Sequence, residues 1–126
     1  MKGNFVLLRA GKLRLVVPQA QVGAAVYLDG EQDRAGFAAV GDDLKMLPEC
    51  PPGRFIAAPF EGEAEGISWC WDELRVLIDA EFDPIELPDS ILAKGAPVDS
   101  YVDVDGEPAF VCDAARACRY ALGQAV

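Results

Sequence analysis

The chain has 126 residues, the size of one domain, and a chain of this length buries roughly two-thirds of its unfolded surface on folding. Hydrophobic residues make up 52% of it, and 12 glycines and 9 prolines suit a compact fold of short strands and turns. The net charge of −10 argues against basic patches that neutralise phosphates, so neither nucleic acid nor an anionic membrane surface is an expected partner.

Three features of the sequence predict a cytoplasmic protein with reduced thiols. The opening residues do not read as a secretory leader, because Arg9, Lys12 and Arg14 interrupt the first apolar run. No stretch approaches the roughly 20 apolar residues that a membrane span needs, so membrane insertion is not expected. The four cysteines show no C-x-x-C spacing and are predicted to be buried thiols: Cys50, Cys70, Cys112 and Cys118.

Residues 5–17 predict the first hairpin, with Ala10-Gly11 at its turn. One face of this hairpin is then apolar, and the opposite face mixes apolar and basic side chains. Such a pattern is typical of a sheet with one buried face. The apolar face consists of Val6, Leu8, Leu13 and Leu15.

The rest of the first half predicts two strands and a brief helix. The apolar run Val22–Leu28 reads as a buried strand, and Gly36–Val40 reads as a second short strand. Asp42 is placed to cap a helix over Asp43–Leu47, whose two leucines would point inward.

The second half follows a proline-rich segment, 48–53, which can be neither helix nor central strand and is predicted as an internal linker. Arg54–Phe60 and Ile67–Trp71 read as strands. Leu74–Ile78 fits either a further strand or a single helical turn capped by the acidic pair before it. Asp113–Leu122 is predicted as the closing helix.

The clearest local signal is a hairpin over Tyr101–Cys112. Asp105-Gly106 lies between two apolar runs, and both residues tolerate the positive φ angles of a type I′ turn. This turn predicts a register in which Tyr101 faces Phe110. Pro108 has no N–H to donate to a ladder, so its strand is predicted to lie at a sheet edge.

The first half of the chain contains a candidate internal repeat of this unit. Val26–Glu31 can be laid on Val102–Glu107, and Phe37–Asp42 on Ala109–Asp113. Each copy would be a strand, an Asp-Gly turn, a returning strand and a helix-capping aspartate. The pattern predicts a mainly β fold of two small barrels or sheets with short helices. Chance similarity between common turns and caps is the alternative.

Beyond these patterns, Ile67–Leu122 resembles the C-terminal half of CheW-like domains, the coupling adaptors of bacterial chemotaxis and twitching-motility pathways. The first half is similar over Phe5–Val17 and Val22–Glu31. In the second half, the motifs that carry the resemblance are Trp71-Asp-Glu-Leu-Arg-Val, Ile85-Glu-Leu-Pro-Asp-Ser-Ile, the Asp-Gly hairpin, and Phe110-Val-Cys-Asp-Ala-Ala-Arg.

The resemblance implies one domain, 1–126, made of two SH3-like barrels whose halves meet near 48–53. It implies an adaptor without catalysis, cofactor or metal, which binds the regulatory domain of a CheA-like histidine kinase and also chemoreceptors. Two departures from the family concern the first half: Asp29 replaces the arginine of the family's receptor-docking turn, and the connection from Val17 to Val22 is short.

A surface of aromatic and turn residues is the candidate partner-binding site under this hypothesis. An apolar patch left by the shortened first half would instead favour self-association into a homo-oligomer. The candidate residues are Tyr27, Asp29, Gly30, Tyr101, Asp103 and Phe110.

The competing hypothesis is an unrelated small all-β domain. One form of it is a sensor with a pocket lined by Trp69, Trp71 and Tyr101. The other is a thiol-dependent enzyme using Cys112, because a helix N-terminus can lower a thiol pKa. The chain has no histidine, the usual general base and the usual partner of a nucleophilic cysteine, so the residues themselves favour a non-catalytic protein.

Overall fold

The computed structural model describes residues 1–28, 36–62, 67–87 and 97–123, and these residues are mainly β, as predicted. A short 3-10 helix over Gln19–Gln21 follows the first two strands. The longer elements are β1 Lys2–Ala10, β2 Leu13–Pro18, β3 Val26–Tyr27, β4 Ala38–Ala39, β5 Ile56–Ala58, β6 Trp69–Trp71, β7 Glu73–Glu81, β8 Ile85–Glu86, β9 Val98–Val104, β10 Glu107–Cys112 and α1 Ala114–Ala121.

The strands of the described residues form two sheets, which confirms the two-sheet prediction. The larger sheet has the order β7-β1-β2-β10-β9-β8, and the smaller has the order β3-β5-β6-β4. The open choice at Leu74–Ile78 is settled in favour of a strand, since β7 pairs antiparallel with β1. Strands on either side of residues 48–53 pair with each other, β3 with β5 and β4 with β6.

The first hairpin forms with its turn one residue later than predicted. Ala10 pairs with Leu13, so Gly11 and Lys12 make the turn, and Gly11 has a φ of 61°. This change shifts the cross-strand pairing by two residues. Because side chains alternate with a period of two, a shift of two residues keeps the same side chains on the predicted apolar face.

The prediction of one buried face is wrong, because both faces of the β1–β2 hairpin are buried. One face carries Leu8 and Leu15 into a main core, which β6 and helix α1 also help to form. The opposite face carries Leu7 and Val16 into a second core between β1, β2, β9 and β10. Leu7 and Leu8 are both 0% exposed. The basic residues of the mixed face lie at the turn end, beyond the apolar ones.

The β9–β10 hairpin has the predicted register, including Tyr101 opposite Phe110. Asp105 and Gly106 have φ angles of 56° and 84°, as a type I′ turn requires. Two arginines from other strands hold this turn. Arg14 of β2 donates to the carbonyl of Val104 at 3.2 Å, and the Nη2 of Arg75 of β7 lies 2.6 Å from the Oδ2 of Asp105.

The edge position predicted from Pro108 is wrong. β10 lies inside the sheet, between β9 and β2. Its parallel pairing with β2 covers only Phe110 and Val111. Pro108 is therefore not part of the β2–β10 ladder, in which its missing N–H would cost a hydrogen bond. The carbonyls of Glu107 and Pro108 instead accept from the guanidinium of Arg14.

Helix α1 closes the chain as predicted. The carboxylate of Asp113 accepts from the backbone N–H of Ala115 at 2.8 Å, and the side-chain oxygen of Gln21 accepts from the N–H of Ala114 at 2.8 Å. Two of the N–H groups that lack a partner within the helix are thereby satisfied. Gly123, with a φ of 74°, follows the helix. Within the described ranges, no helix combines the length and apolarity needed to cross a membrane.

The four-stranded sheet differs from the hairpin that the internal repeat predicts. β3 and β4 lie at opposite edges of this sheet, separated by β5 and β6. The Asp29-Gly30 turn predicted for the first copy of the repeat lies outside the described residues. The buried strand predicted over Val22–Leu28 is also wrong, because only Val26–Tyr27 is strand and both residues are exposed. An apolar run in the sequence does not show whether its strand will lie inside a sheet or at an exposed edge.

The helix predicted over Asp43–Leu47 is replaced by a turn. The N–H of Leu44 donates to the carbonyl of Gly41, and the N–H of Gly41 donates to that of Lys45, each at 3.0 Å. Leu44 adopts a φ of 61° and is buried in the main core. Five residues gain few helical hydrogen bonds, so burial of one leucine through a turn prevails over a cap-initiated helix.

A buried arginine joins the two sheets. Arg54, 4% exposed, precedes β5, and its Nη1 donates to the carbonyl of Cys70 at 3.3 Å. Its Nε lies 3.4 Å from the carboxylate of Asp72, which stands between β6 and β7. The same carboxylate accepts from the N–H of Gly11 at 2.7 Å. We call Arg54, Asp72 and Gly11 the sheet clasp.

Candidate protein-interaction surfaces

The most exposed aromatic side chain of the described chain belongs to Tyr27, one of the predicted partner-binding residues. It is 74% exposed, and its ring stacks on that of Phe55 with centroids 6.3 Å apart and an interplanar angle of 10°. Phe55 is itself 48% exposed. We call Tyr27 and Phe55 the aromatic pair. Large aromatic rings held near solvent are the usual anchors of protein interfaces.

The local structure explains why this pair stays at the surface. β3 is an edge strand, and it pairs with β5 through Val26–Ala57 and Tyr27–Ile56. The N–H of Leu28 donates to the carbonyl of Phe55 at 2.7 Å, and the Leu28 side chain is buried. The backbone on both sides of the pair is therefore fixed by a sheet, while the two rings point where nothing described covers them.

A row of apolar residues crosses the larger sheet from its exposed edge to the main core. Tyr101 lies between Ile85 of β8 and Phe110 of β10 in the strand register. Phe110 in turn lies beside Leu15 of β2, which belongs to the main core. Ile85, at the sheet edge, is 53% exposed. Two of the predicted residues, Tyr101 and Phe110, thus stand side by side on a row that runs from the surface to the core.

The predicted site residues do not all come together. Tyr27 belongs to the smaller sheet, and Tyr101 and Phe110 belong to the larger one. Asp103 has a local role, because its carboxylate accepts from the N–H of Gly106 at 2.8 Å and so fixes the hairpin turn. The other two predicted residues, Asp29 and Gly30, lie outside the described part of the chain.

Sequence reasoning missed Phe55 and Ile85. Phe55 was part of a predicted strand, Arg54–Phe60, in which alternation alone gives no sign that its ring would be left at the surface. Ile85 lies between prolines in an extended segment, and its exposure depends on its position at the end of the sheet. No local signal marks Phe55, because its position beside Tyr27 depends on the pairing of β5 with β3.

The pocket proposed for a sensor domain is not formed by the residues expected to line it. Trp69 and Trp71 are each 1% exposed and pack against Phe60, with ring centroids 6.2 Å apart in both cases. Tyr101 lies on the larger sheet instead. The two tryptophans are residues of the main core.

The thiol proposed for catalysis lies in an unfavourable environment for a nucleophile. Cys112 is 3% exposed, and its sulfur is 3.5 Å from the carbonyl oxygen of Asp113. Burial, with the Asp113 carboxylate adding to it and Arg116 opposing it, raises the pKa of Cys112 to about 12. The reactive form of a cysteine is the thiolate, so the structure argues against thiol chemistry here. The helix N-terminus, which can lower a thiol pKa, does not offset the increase that burial causes.

This environment predicts a specific loss of stability at alkaline pH. The ordinary thiol pKa is 9.0 and that of folded Cys112 is about 12, so the unfolded chain releases this proton first. The stabilising effect is complete below pH 9.0 and is lost as the pH rises through about 12. Chemical denaturation between pH 8 and about pH 10.5 should therefore show a steeper decline for the wild type than for Cys112→Ala. Parallel curves for the two proteins would contradict this assignment.

Comparison with protein-family models finds no matching model, and comparisons with curated proteins and with solved structures find no match either.

Proposed function

We propose that this protein is a non-catalytic adaptor of the CheW type, which binds the regulatory domain of a CheA-like histidine kinase in the cytoplasm. The observation that carries the proposal is the aromatic pair, with Tyr27 on the edge strand β3 and Phe55 directly before β5. The resemblance of Ile67–Leu122 to CheW-like domains supplies the identity of the partner. Coupling to chemoreceptors is part of the same proposal.

Two further features support a binding role, and a third argues against the thiol-dependent alternative. The two rings of the aromatic pair are stacked before any partner arrives, so little side-chain freedom would be lost on binding. Ile85, which is exposed at the sheet edge beside the half-buried Tyr101, offers a second apolar contact. The buried state of Cys112 argues against the thiol-dependent alternative.

Binding to a purified kinase regulatory domain tests the proposal. We expect micromolar affinity for the wild type, on the order of −8 kcal/mol. Tyr27→Ala should weaken binding by about 2 kcal/mol, or roughly 30-fold, because it removes the more exposed ring of the pair. Isothermal titration calorimetry with both proteins measures the difference directly.

Ile78→Ala is the matched control, since Ile78 is 62% exposed on β7 of the other sheet. It removes exposed apolar area without touching the aromatic pair, and it should bind as the wild type does. Thermal unfolding of each variant checks that the fold is retained. The proposal fails if the wild type shows no binding at high micromolar concentration, or if Ile78→Ala weakens binding as much as Tyr27→Ala.

A further inference from the structure

A small pocket opens beside Phe110, where five separate segments meet. Its volume is about 260 Å3. It lies between the start of β2, the turn after β4, the start of β9, the middle of β10 and the last turn of α1. Its lining includes Leu13, Leu44, Val98, Phe110 and Tyr120. Four of these pack along the rim of the main core and Leu44 is part of that core, so the core supports the pocket walls.

The mouth of the pocket is acidic. Asp42, Asp43 and Lys45 line it and are exposed. The Asp43 carboxylate accepts from the backbone N–H of Lys45 at 3.0 Å, which keeps this carboxylate at the mouth. Lys45 is exposed at the same pocket, so the two carboxylates and one ammonium group together carry a net charge of −1. With a net charge of −10 for the whole chain, the site favours a cation beside an apolar group.

The pocket wall also contains a conformationally costly residue. Leu44 has a φ of 61°, a region that leucine rarely adopts, and the hydrogen bonds of the Gly41–Lys45 turn hold it there. The burial of Leu44 in the main core compensates for this conformation, so this part of the pocket wall is held in place.

We propose that this pocket receives a bulky aliphatic side chain of a protein partner, next to an arginine or lysine of the same partner. Pockets for small-molecule ligands usually measure about 300–1,000 Å3, so one of about 260 Å3 suits a single side chain. The apolar walls take the aliphatic group, and Asp42 and Asp43 face the cation. This site is separate from the aromatic pair, and it shares Phe110 with the row that runs through Ile85 and Tyr101.

Three capped tripeptide amides, glycyl-leucyl-arginine, glycyl-leucyl-glutamate and glycyl-glycyl-arginine, test the proposal as probes. Amide chemical shifts of the isotope-labelled protein are followed during each titration. The leucyl-arginine peptide should shift resonances of residues around the pocket, including Val98 and Tyr120. The glutamate peptide should bind roughly threefold more weakly, as expected for one exposed charge contact. The glycyl-arginine peptide should bind at least about tenfold more weakly, because it lacks the aliphatic side chain.

Asp42→Asn tests the charge contribution without removing a wall residue. It should reduce the preference for the leucyl-arginine peptide over the leucyl-glutamate peptide, while Glu49→Gln, an exposed change in the same loop region, should leave their ratio as in the wild type. The proposal is overturned if the three peptides bind the wild type equally. It is also overturned if the shifted resonances lie away from the pocket, or if Asp42→Asn leaves the preference for arginine unchanged.

Discussion

Truncation of Leu7 to alanine is expected to destabilise the protein as strongly as truncation of Leu8. These neighbours on β1 point to opposite faces of the larger sheet, and both are 0% exposed. Leu8 contributes to the main core and Leu7 to the second core. Replacing a fully buried leucine by alanine costs about 2–5 kcal/mol. If only one face were buried, one of the two variants would be close to the wild type.

Urea denaturation of the two variants measures these costs. Val76→Ala is a suitable control, since Val76 lies on the neighbouring strand β7 and is 43% exposed. It should cost less than about 1 kcal/mol, in line with its partial exposure. A free energy of unfolding for Leu7→Ala within about 0.5 kcal/mol of the wild type would show that the second core does not form.

Replacing Asp72 by alanine is expected to cost about 3 kcal/mol, because it removes the carboxylate that pairs with the buried guanidinium of Arg54. The same change deprives the N–H of Gly11 of its acceptor. Arg54 is 4% exposed, so its guanidinium has little access to water, but it keeps the carbonyl of Cys70 as an acceptor. Asp72 is itself a quarter exposed, which keeps the expected cost at the lower end of the range for buried ion pairs.

A double-mutant cycle with Arg54→Met separates this pairing from other effects. Methionine fills part of the arginine volume without a charge, so Arg54→Met with Asp72→Ala should be more stable than the sum of the single changes predicts. We expect a coupling of at least about 1 kcal/mol. Additive losses would mean that the sheet clasp does not act as a unit.

The second hairpin could be predicted in detail because its determinants are local. Asp105 and Gly106 specify a type I′ turn, and this turn fixes every cross-strand pair up to Tyr101 and Phe110. The helix cap at Asp113 depends on one side chain and the N–H two residues later. The first hairpin lacks such a turn, so its register was misplaced by two residues, although the side-chain alternation preserved the face.

The features that escaped prediction depend on contacts distant in sequence. The burial of Leu7 requires β9 and β10 to cover the second face of β1, about 95 residues further along the chain. The position of Pro108 inside the sheet depends on a two-residue parallel pairing with β2. The same reason applies to the candidate site. Tyr27 could be named from its aromatic character beside a predicted turn, but its stacking on Phe55 required the pairing of β3 with β5.

Hydrogen–deuterium exchange with and without the regulatory domain of a CheA-like histidine kinase tests the central proposal most directly. Edge strands such as β3 exchange rapidly when uncovered, so binding there gives a clear decrease in deuterium uptake. The proposal predicts protection of Val26–Leu28 and of the backbone around Phe55 in the complex. Unchanged uptake in both segments, with the kinase domain in excess, would contradict it.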